Sequence, residues 1–189
     1  MPIKIIRQNH WEIIGRGTVL LSNPPTADQT GELYTGRIVE DSALLSRAHA
    51  MIGKESKRDL DPPDLQVAQA EFETGMQRFL EEHGVKCVIM TSGKNESGIE
   101  IRASETAARE ETVELVRARL ALDFDLTPNA AKNESSSRNL GDEVQMIQLA
   151  LGPDERGFRK EAVVASIADA VGLINAKLGS SERTGGTPD

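Results

Sequence analysis

The chain has 189 residues, 38% hydrophobic, 28% charged and only 3% aromatic, with a formal net charge of −8 at pH 7 and a pI near 5.0. That length supports a real core, which must be mostly aliphatic, and an acidic surface repels phosphate backbones and anionic lipid headgroups, excluding nucleic acid and membranes as default partners. The single cysteine, Cys87, cannot form an internal disulfide, Met1 to Trp11 lack the apolar stretch of a secretory signal, and no run reaches the ~18 apolar residues of a membrane helix, so a cytoplasmic protein is expected.

Residues 1–30 read as a small β element. Ile3 to Ile6, Trp11 to Ile14 and Thr18 to Leu21 are short β-type runs, and Gly15-Arg16-Gly17 turns the chain between the last two. A strand pattern, not a helix, follows those glycines, which argues against a phosphate-binding loop. Pro24-Pro25 opens a loop. Glu32 to Glu40 then reads as a strand, and Asp41 or Ser42 caps a short helix through Met51, with Gly53 as its stop.

The clearest helix follows Asp61 and starts at Pro62-Pro63, where proline's missing N–H costs nothing. Leu65, Ala68, Phe72, Met76, Phe79 and Leu80 recur at three- and four-residue steps, and the aromatic pair is expected to pack on the sheet beneath Val88. Gly84 ends it. Val85 to Met90 is an apolar run suited to a doubly covered strand, Ser92-Gly93-Lys94-Asn95 turns the chain, and Gly98 to Arg102 alternates as a half-buried strand. Ser104 caps a helix with Glu105, Glu110 and Glu111 early and Arg117 and Arg119 late, matching the macrodipole; Leu122 to Leu126 returns as a strand. Residues 31–127 therefore predict an α+β domain of ferredoxin-like β-α-β-β-α-β order.

Residues 128–139 read as a polar linker and 180–189 as a disordered tail. Between them, 140–179 predict a helical hairpin: Leu140, Val144, Ile147 and Leu151 step by four, three, four, and Val164, Ile167, Val171, Ile174 and Leu178 by three, four, three, four. Gly152-Pro153-Asp154 separates the two. The second seam is the expected interface of a homo-oligomer, and removing 140–189 is expected to leave a folded monomer.

No catalytic, cofactor-binding or metal-ligating residues emerge from this pattern. His10, His49 and His83 are far apart in sequence and lack metal-ligand spacing. Cys87 lies in an apolar run and reads as an inert thiol. Ser92-Gly93-Lys94-Asn95 lacks the spacing, the hydroxyl and the following helix of a nucleotide loop. Asp123 and Asp125 share one side of a predicted strand but are explained as solvated or capping groups. The strands that would stack RNA bases carry no aromatics. The sequence thus favours a non-catalytic protein–protein interaction or assembly module, an acidic adaptor or an immunity or inhibitor-type protein, that docks on a basic protein surface through Glu71, Glu73, Glu81 and Glu82. The alternatives are a small-molecule-binding regulatory domain or an enzyme whose site is assembled only in space.

Overall fold

The computed structural model describes residues 2–25, 34–53, 62–103, 109–127 and 144–180. Within them, β1 (Ile3–Ile6), β2 (His10–Ile14), β3 (Val19–Asn23), β4 (His49–Gly53), β5 (Cys87–Gly93), β6 (Ile99–Arg102), β7 (Leu126–Thr127) and β8 (Gln145–Leu151) form one eight-stranded sheet. Its order is β1-β2-β4-β3-β5-β8-β6-β7. The centre, β4-β3-β5-β8, is parallel; β2 and β6 run antiparallel to their inner neighbours. The helices are α1 (Thr35–Ser46), α2 (Pro62–His83), α3 (Glu110–Leu120), the single turn α4 (Pro153–Arg156) and α5 (Lys160–Ser180).

Parallel strands covered on both faces read as unbroken apolar runs, and Val19-Leu20-Leu21 and Cys87 to Met90 are such runs, all buried. On one face Leu21, Ala50, Ile52, Ile89, Ile147 and Leu149 meet Ile38 and Val39 of α1, Val116 of α3 and Ile167 and Val171 of α5. On the other, Leu20, Met51, Val88, Met90 and Met146 meet Phe72, Met76, Phe79 and Leu80 of α2. The expected packing of α2 beneath Val88 is observed.

The mixture of helices and strands agrees with the sequence, whereas a ferredoxin-like topology is not what the strands form. The three strands of residues 1–30 belong to the same sheet as the rest. Thr35 to Glu40 is helix, not strand, because Ile38, Val39, Ser42 and Ala43 make one buried helical stripe. The chain then leaves that helix at Arg47, in a left-handed conformation with φ 58°, and His49 to Gly53 is strand β4. Gln145 to Leu151 is strand, so the helical hairpin does not form. A run buried on both faces has no period of its own, and its four-three-four spacing fits helix and strand alike. Leu122 to Phe124 turns, leaving β7 only Leu126–Thr127. The 128–139 linker, the Ser104 cap and 181–189 lie outside the described residues.

The seam of α5 faces inward. Ile167, Val171, Ile174 and Leu178 are in the chain's own core, with Val164 packed against it, so this stripe is not on offer to a second copy. Among the described residues, Lys160–Gly179 is the one stretch of helix long and apolar enough to cross a membrane; here its apolar side covers the sheet between α1 and α3.

Candidate functional site at the carboxyl ends of β3 and β5

The connection from β3 to β4 runs through α1 on one face, and the connection from β4 to β5 runs through α2 on the other. Neighbouring strands β3 and β5 therefore send their chains in opposite directions. In open α/β sheets such a switch point leaves a crevice outside the carboxyl ends of the strands, where ligands bind.

Polar side chains gather there. Asn23 ends β3, and its Nδ2 donates to the Thr91 carbonyl on β5 at 3.0 Å. Thr91 is 1% exposed and its Oγ1 has no hydrogen-bond partner among the described residues; the same holds for Ser22 Oγ and for Thr35 Oγ1. Thr91 points to the α1 face, two residues beyond Ile89, whereas Ser22 points to the α2 face between Leu20 and the end of the strand. Thr35 opens α1, which starts at this edge and packs on β3, β4 and β5. Leaving a buried hydroxyl unmatched costs about 1–3 kcal/mol. Three such hydroxyls lie at this edge. Before Thr35, Tyr34 sits at φ 72°, a left-handed conformation uncommon for a residue with a Cβ. Gly53 ends β4 close to Pro25: a Cβ there would lie 2.6 Å from the Pro25 nitrogen, so only glycine lets Pro24-Pro25 pass.

The structure distributes the other titratable groups elsewhere. His49 begins β4, at the opposite edge; its Nδ1 accepts the Gly15 N–H at 3.3 Å and its Nε2 lies 3.2 Å from the Gly17 carbonyl. It stacks on His83 with ring centroids 5.3 Å apart. Burial, aided by the charge of His83, holds its pKa below the ordinary histidine value. His10 is apart from this pair: its Nε2 is 3.2 Å from Glu12, and its ring meets Phe72 edge-on. Burial pushes the Glu12 carboxyl upward, but hydrogen bonds from Arg7 and His10 and the charges of Arg7 and Arg78 outweigh it and leave the group below its usual range. Among the described residues no three His, Cys, Asp or Glu side chains converge as metal ligands. Burial pushes the Cys87 thiol up to about 12, the inert thiol expected. Asp123 accepts from Arg119 at 2.6 Å and from Ser166 at 2.8 Å, an internal tie.

The acidic residues of α2 lie on its outer side. Glu71 accepts from Asn9, Glu82 lies 3.9 Å from Arg78, Glu81 is exposed and Glu73 half-buried. Asn23, Thr35 and Thr91 were missed by sequence reasoning. The available signal was small polar residues directly after buried apolar runs, Ser22-Asn23 after Val19 to Leu21 and Thr91-Ser92-Gly93 after Val88 to Met90.

This architecture, an open mixed sheet with a parallel centre and helices on both faces, is shared with hydrolases. No family model matches the sequence, and no curated protein matches it. Among solved structures, a bacteriophage poly-γ-glutamate hydrolase is similar with a TM-score of 0.61 and 11% identity, over 93% of this chain and 92% of the other. The catalytic domain of CD27L, an endolysin targeting Clostridia difficile, is similar with a TM-score of 0.55 and 9% identity, over 82% of this chain and 97% of that one. The N-acetylmuramoyl-L-alanine amidase AmiC2 of Nostoc punctiforme is more distant, with a TM-score of 0.48 and 11% identity over 83% of this chain and 97% of that one. At these identities the likeness is one of fold. It corrects the reading of a non-catalytic interaction module and of a chain leaning away from enzymes: the fold is shared with that hydrolase and that endolysin domain.

Proposed function

We propose that the chain is a hydrolase of amide bonds whose site lies at the carboxyl ends of β3 and β5. The observation that carries this reading is the trio of buried hydroxyls, Ser22, Thr35 and Thr91, that have no partner among the described residues, at the switch point of the sheet. The fold likeness to a poly-γ-glutamate hydrolase over nearly the whole chain supports it. Amide hydrolysis builds negative charge on the carbonyl oxygen, and donors aimed at that oxygen before the reaction are worth most in a water-poor site. Thr91 Oγ1 is such a donor. Asn23, bonded to the Thr91 backbone carbonyl, is a positioning residue that ties the end of β3 to the strand carrying that hydroxyl.

The test is release of amino groups from poly-γ-glutamate and from peptidoglycan by the folded chain. Thr91→Val keeps the shape and removes the donor, and kcat is expected to fall by about 10²–10³-fold with KM nearly unchanged. Failure of the folded wild type to release amines from either polymer would sink the reading.

A further inference from the structure

On the face of the sheet that packs on α2, the helix covers β4, β3, β5 and the start of β8, where Met146 joins its apolar cluster. Beyond Met146 that face turns polar. Gln148 and Ala150 of β8, Glu100 and Arg102 of β6 and Thr127 of β7 share it, since the residues between them, such as Leu149 and Ile101, point to the other side. None of the five belongs to either apolar cluster. Two cations stand here. Lys94, three residues beyond Thr91, is half-buried; its Nζ donates to Thr127 Oγ1 at 2.9 Å, and it makes no ion pair among the described residues. An ammonium has three donors, of which that hydroxyl takes one. The base of the side chain is fixed, because Lys94 N–H donates to the Leu151 carbonyl at 2.9 Å and Arg156 Nη2 to the Lys94 carbonyl at 3.0 Å. Arg102 binds Glu100 through Nε and Nη2, both at 2.8 Å, while its side chain stays 50% exposed. Those hydrogen bonds hold the Glu100 carboxyl below its usual range against the pull of burial, helped by the charges of Arg102 and Lys94. Two cations against one ionised carboxylate leave a local positive surplus in a chain of net charge −8.

We infer that Lys94 and Arg102 form a carboxylate-binding shelf beside the carboxyl ends of β5 and β8, on which a γ-linked glutamyl chain lies. This rests on the hydrolase reading for its substrate. Every residue of such a chain carries a free α-carboxylate beside the side-chain amide, so the substrate is a polyanion. The acidic surface at large repels it, and binding requires a local stretch where cations outnumber carboxylates. The end of β5 and the strand β6 supply that stretch. Lys94 is the stronger contact, a point charge with donors in hand, whereas Arg102 has only Nη1 beyond its pair with Glu100. Lys94 and Thr91 are about 10 Å apart along the chain, so a polymer held at Lys94 extends to the switch point.

The probes are a γ-linked glutamate trimer with free α-carboxylates and the same trimer with its α-carboxylates converted to carboxamides, each titrated calorimetrically into the full chain at ~0.05 and ~0.5 M salt. The carboxylate trimer is expected to bind more tightly at low salt and to lose most of that advantage at high salt. Lys94→Met is expected to raise its Kd about fivefold, the worth of one half-exposed ion pair, with Lys94→Arg close to wild type and Tm level in both. Lys4→Met, on the edge strand at the other end of the sheet, is expected to leave Kd unchanged. Glu100→Gln removes the competing charge while keeping an acceptor for Arg102, and is expected to lower Kd. Equal binding of the two trimers, no binding of either, or an unchanged Kd in Lys94→Met or in Glu100→Gln would each overturn the shelf. Equal rates of amine release from the two trimers would overturn it while leaving the hydrolase reading intact; the full set of Kd changes without amine release would support the shelf and sink the hydrolase reading.

Discussion

A neutral imidazole holds the turn between β2 and β3. His49 accepts the Gly15 N–H through Nδ1 and meets the Gly17 carbonyl through Nε2, so both ring nitrogens are used only if a single proton sits on Nε2. Protonating Nδ1 would set two donors against each other, beside His83. Because the folded-state pKa is held below the unfolded one, the stability this contributes is present above the ordinary histidine value, about 6.5, and is lost as pH falls through it. The wild-type Tm is expected to drop between about pH 7 and pH 5. His49→Gln, whose amide donates and accepts at similar places without titrating, is expected to flatten that slope; an identical slope in the variant would refute the assignment. Glu12 acts in a separate window. Its depressed pKa makes its stabilisation complete above the normal carboxylate range and lost only in stronger acid. Neither arrangement was legible locally, since His49 meets His83 across 34 residues and Glu12 meets Arg78 across 66.

At the scale of elements, α2 was legible and β8 was not. The apolar positions of α2 recur on one helical face because its other face is solvated, and that contrast writes a period into the sequence. Phe79 is 1% exposed in the cluster with Phe72, Met76 and Val88, so Phe79→Ala is expected to cost about 3–5 kcal/mol in a denaturant titration. A loss under about 1 kcal/mol would contradict the packing. β8 lies between β5 and β6 with both faces covered, and five of its seven residues are apolar. Nothing in Gln145 to Leu151 records which side faces which layer. One-turn α4 shows a third case: Glu155 Oε2 accepts the Gly98 N–H at 2.9 Å, and Arg156 Nη2 donates to the Lys94 carbonyl at 3.0 Å. In sequence Gly152-Pro153-Asp154 reads as a stop, with nothing assigned to Glu155 and Arg156, which follow it. In the fold they are buried and tie the connection between β5 and β6 to the end of β8.

For the whole molecule, the placement of β8 reverses one expectation. As a separate hairpin, residues 140–189 would be dispensable. As the strand between β5 and β6 followed by the helix that covers one face of the sheet, they supply Ile147, Leu149, Ile167, Val171 and Ile174 to the common core. A chain truncated after residue 139 leaves the edges of β5 and β6 unpaired and one apolar face bare. It is expected to show no cooperative thermal transition. A truncated chain that melts sharply near the full-length Tm would mean that β8 and α5 are not integral to the core.

Composition by itself determined that the core is aliphatic, and local pattern determined that α2 is an amphipathic helix, that Cys87 lies in a buried strand and that helices and strands are mixed. Each is written in neighbouring residues, because a helix or strand with one wet face must repeat its apolar positions at its own period. Tertiary structure alone decided the rest: the single sheet, its strand order, the strand at Gln145 to Leu151 and the inward seam of α5. It also decided the site. Asn23 and Thr91 are 68 residues apart and bond only because two parallel strands end side by side. Their chemistry depends on topology, which is set by how distant apolar faces cover one another and leaves no local period to read.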